Sequence, residues 1–467
     1  MAFAIGVDIG GSAIKFAVVD QAGRIVWPPG LPNHSGKAAR VGYRVVTPGV
    51  ARLIWQATGE EEVLTYEVPS GDSPSASLVD DAWVVPAAVA RAALTKSLQR
   101  IAGSFTMPVA AAGIGATGLI GPDGIVREGY AFSGYCGTNW AAAAAAAGFR
   151  GPIQVLNDAR AAAWAEYVRA GRGRRAFLHV TVGTRVGCAM VENGQLLEGA
   201  DACAGEFSYQ QMIGPGTGGY RAGARLIDGL LDDPTAFGAA LTDVIHLINP
   251  NRIALCGFAS DFVTAVQAHV DRYVFKTHRR TLETAQGDGS GSLLYVMRHG
   301  DNVESAVLSD GQTGNTGVAP DFLSRMIVCA PLPLDRPGEL YYGEIAGSFG
   351  IEADYAARMN RSAGFDEIAA AAAAGDVPAT ACLERAAMIT AAGIVNACRM
   401  TGAQLVTVGG AVPLLYAPYM KIVSEYATAQ FGAGSAAPTI QPSTAGNDAG
   451  VIGAALYALR TATSPAP

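Results

Sequence analysis

The apolar positions fall into short runs whose spacing changes along the chain. Residues 3–9 (FAIGVDI) and 14–20 (IKFAVVD) are of strand length and are joined by a Gly-Gly turn, and RIVWPP follows the turn residues AGR. This pattern predicts an antiparallel meander. Residues 37–80 break into Pro, Ser and Gly clusters and read as irregular. Helical periodicity returns over 86–102 (PAAVARAALTKSLQRIA), and VAAAGIGATG at 109–118 predicts a buried strand. From 153 to 200 the order becomes strand, helix, strand, turn, strand: IQVL, DARAAAWAEYVRAG, AFLHVTVG, CAMVENGQLL. The last two strands flank a small-residue turn, GTRVG, that echoes the first meander and predicts two similar halves. Between 213 and 345, Gly- and Ser-rich segments surround one helix–strand unit, TDVIHLINPNRIALCGF, and the stretch reads as an insertion. Residues 351–400 are helical, QLVTVGGAV at 404–412 is a strand running into two glycines, and a final helix follows 446.

Composition narrows the partners. A chain of 467 residues has room for two or three domains. Half of it is hydrophobic, yet no stretch approaches the ~20 uninterrupted apolar residues of a membrane span. The first residues have no basic region ahead of an apolar one, and Asp8 interrupts the apolar run, so a cytoplasmic protein without a membrane partner is expected. Seven scattered cysteines with no C-x-x-C spacing predict reduced thiols rather than a disulfide frame or zinc ribbon. A net charge of -7 without a basic run argues against nucleic acid and for a small-molecule partner.

Four motifs bear on chemistry. In DIGGSAIKFAVVD (8–20), Gly10 and Gly11 leave backbone N–H groups uncovered, Ser12 adds a hydroxyl donor for a phosphate oxygen, and Asp8 can hold Mg²⁺. An ordinary Gly-Gly hairpin explains the same residues equally well. Gly183, Thr184 and Arg185 form the turn of the second strand pair and read as a second phosphate clamp. Gly409 and Gly410 end a buried strand where a nucleotide base or ribose can approach the backbone. Between the two hairpins, VLNDARAAAWAEY sets Asn157 beside Asp158, and both residues are also preferred helix caps.

These motifs, in this order, resemble the sugar kinases of the ROK family (repressor, open reading frame, kinase) in the actin and hexokinase superfamily. The resemblance covers residues 1–26, 84–212 and 346–460. It is carried by DIGGS with Lys15, GIGATG (113–118), VLNDARAAAWAEY, HVTVGTRVGCAMVENGQLLEGA, CAGEF, FDEIAAAAAAGD (365–376), LVTVGGAV and NDAGVIGAA (447–455). It implies an α/β fold of two actin/hexokinase-like (ribonuclease H-like) domains around a central cleft. Residues 1–117 would form the first, completed by a C-terminal helix at about 446–460, and residues 118–445 the second, with 213–345 inserted. The implied activity is ATP-dependent, Mg²⁺-assisted phosphorylation of a hydroxyl on a hexose, amino sugar, N-acyl sugar or sugar-like cyclitol. By the same resemblance Asp158 matches the general base. Asn157 matches a ligand of neighbouring hydroxyls, Gly118 the loop over the sugar, Glu206 of CAGEF a ligand of its far side, and Glu352 of GSFGIE a second sugar-binding Glu. The start of a helix is expected to keep Asp158 ionised. The family is often dimeric, so a homodimer is expected.

Three departures qualify the match. Tyr209 stands where the family's zinc-binding His stands and the family's cysteine cluster is missing, so zinc is not expected and Tyr209 is assigned to the sugar. Arg185 replaces a Gly; its guanidinium can pair with phosphate or obstruct the nucleotide, its backbone N–H is available in either case, and a working clamp is expected. INPNRIALCGF (248–258) duplicates the strand before the nucleotide glycines, a role assigned to Gly409 and Gly410 because the C-terminal helix follows them. The rival reading is a non-catalytic sugar-binding or regulatory protein on the same fold.

Overall fold

In the computed structural model the described residues are 2–28, 37–47, 49–67, 87–128, 134–182, 186–199, 204–206, 210–213, 234–249, 252–256, 260–274, 282–284, 292–299, 302–309, 312–313, 339–401, 403–431 and 437–463. The chain divides into two compact units, Met1–Ala170 with Thr444–Pro467, and Gly171–Ser443.

In the first unit, strands β1 (Phe3–Ile9), β2 (Ala13–Asp20) and β3 (Ile25–Trp27) form the expected meander. Strands β4 (Ala39–Thr47), β5 (Val50–Trp55) and β6 (Glu60–Thr65) extend it where the sequence reads as irregular. The reason is a period of two: Val41, Tyr43, Ala51, Leu53 and Trp55 are buried, while Arg40, Arg44 and Arg52 alternate with them at exposed positions. Helix α1 (Ala87–Ser104), strands β7 (Val109–Ala116), β8 (Leu119–Ile120) and β9 (Val126–Glu128), helix α2 (Trp140–Ala146), strand β10 (Ile153–Asn157) and helix α3 (Asp158–Glu166) follow. The sheet runs β10-β7-β1-β2-β4-β5-β6, with β3 also on β2, and β7 lies parallel to both β1 and β10.

One face of this sheet, with Ile5, Val7, Ile14, Phe16 and Val41, packs on Leu94 and Leu98 of α1 and Trp140 of α2. The other face carries the C-terminal helix, Ala449–Thr463. Glycines set the separation there. A Cβ on Gly6 would stand 2.1 Å from the Val451 carbonyl oxygen, and one on Gly113 1.8 Å from that of Ala454. A Cβ on Gly453 would stand 1.5 Å from the carbonyl oxygen of Ala161 in α3. The chain returns to this unit under the control of Glu166, fully buried at the end of α3. Its carboxylate accepts the Thr444 N–H at 2.9 and 3.0 Å, the Thr444 hydroxyl at 3.2 Å, and the Ala445 N–H. The division therefore falls at Ala170/Gly171, not at the expected 117/118, because β10 joins β7 and α3 packs along the C-terminal helix.

In the second unit, β11 (Ala176–Val182) and β12 (Val186–Glu192) are the second antiparallel pair, with β13 (Gln195–Leu196) on β12. β14 (Gln211–Ile213) opens the inserted segment. Its elements are helix α4 (Pro234–Ile248), strand β15 (Arg252–Cys256), helix α5 (Ser260–Tyr273), strands β16 (Leu282–Thr284), β17 (Ser292–His299), β18 (Asn302–Ser309) and β19 (Gln312–Thr313), and β20 (Glu339–Tyr341). β14 and β20 pair with each other, Met212 opposite Leu340, so the segment leaves and returns at one ladder. Helices α6 (Gly343–Ala346), α7 (Ser348–Met359), α8 (Phe365–Ala373) and α9 (Val377–Thr401) lead to β21 (Leu405–Gly409), α10 (Ala411–Leu415), α11 (Tyr419–Phe431) and β22 (Thr439–Pro442). The main sheet runs β13-β12-β11-β21-β22. α9 is long and apolar enough to cross a membrane by composition, but 78% of its most apolar stretch is buried, and it forms the centre of this unit's core with Phe237, Leu241 and Ile245 of α4.

Candidate active site

The Asn-Asp pair divides its labour. Asn157 caps α3: its side-chain carbonyl accepts the N–H groups of Ala159 at 2.9 Å and Arg160 at 3.3 Å. Its amide donates to the Gly118 carbonyl at 3.0 Å, and Gly118 holds a φ of +110° that only glycine adopts freely, so the structure brings these two residues together. Asp158 is then the first helical residue, and its carboxylate accepts the Ala159 N–H at 2.8 Å. Burial, then the charge of Asp8, pushes the Asp158 carboxyl up from 3.8 to about 6, against the Ala159 N–H and the Lys15 ammonium. Desolvation thus outweighs the helix start and raises the carboxyl. At neutral pH the group is an ionised carboxylate of raised basicity.

Asp8 ends β1 and pairs with Lys15 of β2 at 3.3 Å. Between them lies the hairpin of Gly10, Gly11 and Ser12, closed by Gly10 N–H donating to the Ala13 carbonyl at 3.0 Å. A Cβ on Gly450 of the C-terminal helix would stand 3.1 Å from the Asp8 carboxylate, so glycine lets the helix backbone approach Asp8 closely.

Two tyrosines that the sequence did not single out hold this hairpin. The Tyr43 N–H donates to the Ser12 carbonyl at 3.0 Å, and its hydroxyl donates to the Gly10 carbonyl. The Tyr135 hydroxyl reaches the same carbonyl at 3.2 Å and the Tyr43 hydroxyl at 3.0 Å. Burial drives the Tyr43 phenol far up, and burial drives that of Tyr135 up to about 12, so both act as neutral hydroxyls. Tyr135→Phe is expected to cost about 1 kcal/mol of stability and to loosen the hairpin. Urea unfolding checks the first effect, and a several-fold weaker interaction with phosphate ligands, measured by calorimetry, checks the second.

In the second unit, Gly409 and Gly410 stand where β21 adjoins β11. Gly410 has a φ of +99°, and a Cβ there would lie 2.2 Å from the Val182 carbonyl oxygen, at the start of the second hairpin. β15, the duplicate candidate, pairs with β16 and β17 instead. Below Gly409 and Gly410, buried His179 bridges Thr407 and Thr181 at 2.9 Å each. Glu206 lies in a loop held by α4: the Gly205 N–H donates to the Leu247 carbonyl at 2.9 Å and the Glu206 N–H to that of His246 at 3.0 Å. Gly183, Thr184, Arg185 and Tyr209 lie outside the described residues. The Glu352 carboxylate accepts the Phe365 N–H at 2.8 Å and so ties α7 to the start of α8.

The ROK family profile matches residues 84–222 and 342–461, more than half of the chain. The chain belongs to the ROK family. The match leaves out 223–341, close to the expected insertion, and also 1–83 with the first hairpin. The bifunctional enzyme NanE/NanK of Brucella melitensis is 40% identical over 65 residues, which are 14% of this chain and 12% of that protein. The chain thus spans about an eighth of this curated relative's length. Among solved structures, a ROK family glucokinase from Streptomyces griseus in complex with glucose and AMPPNP shares a TM-score of 0.51 at 16% identity, covering 98% of this chain and 100% of that one. A ROK hexokinase from Thermus thermophilus shares a TM-score of 0.50 at 18% identity, covering 98% of each chain. These likenesses show the fold: this ROK chain is an α/β protein of two actin/hexokinase-like units with an insertion.

Proposed function

We propose that this ROK protein is an ATP-dependent sugar kinase that phosphorylates a hydroxyl of a hexose, amino sugar, N-acyl sugar or sugar-like cyclitol. The observation that carries the reading is Asp158: a carboxylate of raised basicity, ionised at neutral pH, beside the Asp8–Lys15 hairpin. Phosphoryl transfer asks a protein mainly for positioning, charge stabilisation and one base near the attacking hydroxyl. Asp158 takes the proton as the sugar oxygen bonds to the γ-phosphorus and the bond to the ADP oxygen breaks. The second N–H of the Asn157 amide orients a neighbouring hydroxyl, and the Gly118 loop, fixed by Asn157, closes over the sugar. Lys15 and the hairpin of Gly10, Gly11 and Ser12 hold phosphate oxygens. Glu206 and Tyr209 are proposed as further sugar ligands, and Gly183, Thr184, Arg185, Gly409 and Gly410 as nucleotide contacts.

Mg²⁺ suits the chemistry of the donor set, because the Asp8 carboxylate would offer it a hard oxygen ligand beside the phosphate-binding hairpin. When bound, the ion neutralises phosphate charge. The test is ADP release, measured with a coupled assay over a panel of sugars and cyclitols, together with calorimetry of nucleotide binding. Turnover on at least one member is expected; no turnover with no nucleotide binding overturns the reading.

A further inference from the structure

The sheet of the first unit carries a charged row that extends beyond the hairpin. Strand pairing sets Asp8 opposite Lys15, and Lys15 opposite Arg40 of β4. Residues directly opposed on neighbouring strands project from the same face. On the other side β7 sets Gly115 opposite Asp8, and a Cβ on Gly115 would point at the Asp158 backbone, 3.6 Å away. Asp158, Asp8, Lys15 and Arg40 therefore belong to one face.

Arg40 stands out in this row. Lys15 has the Asp8 carboxylate at 3.3 Å, whereas Arg40 is exposed and makes no side-chain hydrogen bond or ion pair among the described residues. Asp448, which comes close in the chain's path, accepts the Ala38 backbone N–H at 3.3 Å. The Lys15 charge is answered by Asp8 and is felt by Asp158 as well, which leaves Arg40 as the cation of this row with no carboxylate in contact among the described residues. The position is not an edge, since β4 is paired on both sides. Two residues further towards the hairpin the same face carries only small residues, Gly42 opposite Ala13. Opposed cations beside two small residues, next to a glycine hairpin, describe a seat for a polyanion.

We propose that Arg40 is a donor-binding residue that, with Lys15, takes up the oxygens of a triphosphate chain. The inference rests on the kinase reading only in naming that chain as the donor's. A bound triphosphate gives Arg40 the anionic partner that it lacks among the described residues. Arg40 is thus a specificity residue for the donor, contributed by the strands that the sequence did not reveal.

The experiment compares wild type, Arg40→Ala and Arg40→Lys by calorimetry with Mg²⁺-ATP and with Mg²⁺-inorganic triphosphate, by thermal unfolding, and by steady-state kinetics. Arg40→Ala is expected to weaken both ligands about tenfold or more and to raise the KM for ATP by the same factor, with the sugar KM unchanged. The unliganded variant should unfold no lower than wild type, which a structural role for Arg40 would not allow. Arg40→Lys should recover most of the affinity. Equal binding of both ligands by wild type and Arg40→Ala overturns the proposal, as does weakening confined to ATP, which would move the contact to the nucleoside. A wild type that binds triphosphate through Arg40 but phosphorylates no sugar overturns the kinase reading alone. A wild type that binds neither ligand overturns both.

Discussion

Asp158→Asn is expected to lower kcat by about 10²–10⁴-fold while sugar affinity changes little. The side chains are of equal shape, and the amide oxygen can still accept the Ala159 N–H that the carboxylate accepts at 2.8 Å. What is lost is the capacity to take the hydroxyl proton. The same residue sets the pH profile. Its carboxyl is pushed up to about 6, chiefly by burial, and only the ionised form is a base, so kcat should rise tenfold per pH unit below about 6 and level off above it. Stability should move the other way. The folded state holds the proton more tightly than the unfolded chain, whose carboxyl keeps the ordinary value of 3.8. The penalty of the desolvated charge is therefore absent at low pH, grows from pH 3.8 to about 6, and is complete above that. Thermal unfolding should show Asp158→Asn more stable than wild type at pH 8 and nearly equal to it at pH 4. Full activity in the variant would remove Asp158 from the role of base.

Gly113→Ala is expected to abolish folding or leave a severely destabilised protein. Its new methyl would stand 1.8 Å from the Ala454 carbonyl oxygen and 2.2 Å from its carbon, both backbone atoms of a helix that cannot swing aside like a side chain. Gly453→Ala should act alike, because its contact is 1.5 Å from the Ala161 carbonyl oxygen. Relief requires the C-terminal helix to lift off the sheet along its length. The cost lies at or above the ~1–3 kcal/mol usual for overpacking, a large part of a domain's ~5–15 kcal/mol. Gly103→Ala is the control. Gly103 is exposed inside α1 with nothing within 4 Å of its added methyl, and the change should stabilise by about 0.5–1 kcal/mol. Urea unfolding of the three variants measures the contrast, and a wild-type midpoint for Gly113→Ala would show that the helix stands clear of the sheet.

Much of the frame was legible because its signals are local. The two apolar runs around Gly10 and Gly11, the strand–helix junction at Asn157 and Asp158, and the glycines after β21 each lie within one short window, where period and turn residues speak for themselves. The rest depends on distance. β4 to β6 alternate correctly, but Pro48-Gly49 and Thr58-Gly59 interrupt the sequence between them, and clusters of such residues hid the period. Tyr43 and Tyr135 are 92 positions apart, and only the sheet brings their hydroxyls to one carbonyl. The bond from the Phe365 N–H to Glu352 likewise joins two helices across 13 positions and leaves no local signal. For Asp158 the helix start was visible in the chain, while the burial that outweighs it was not.

The β14–β20 ladder has a consequence for how the chain can be rebuilt. Opposed residues in an antiparallel pair have Cα atoms only about 4.5–5.5 Å apart, so Ile213 and Glu339 mark a splice point that a short turn would close. Such an excision would spare every strand of the main sheet in that unit. It would also remove the carbonyls of His246 and Leu247 that grip the backbone of Glu206 and Gly205. The inserted segment is an appendage by topology and a strut by contact.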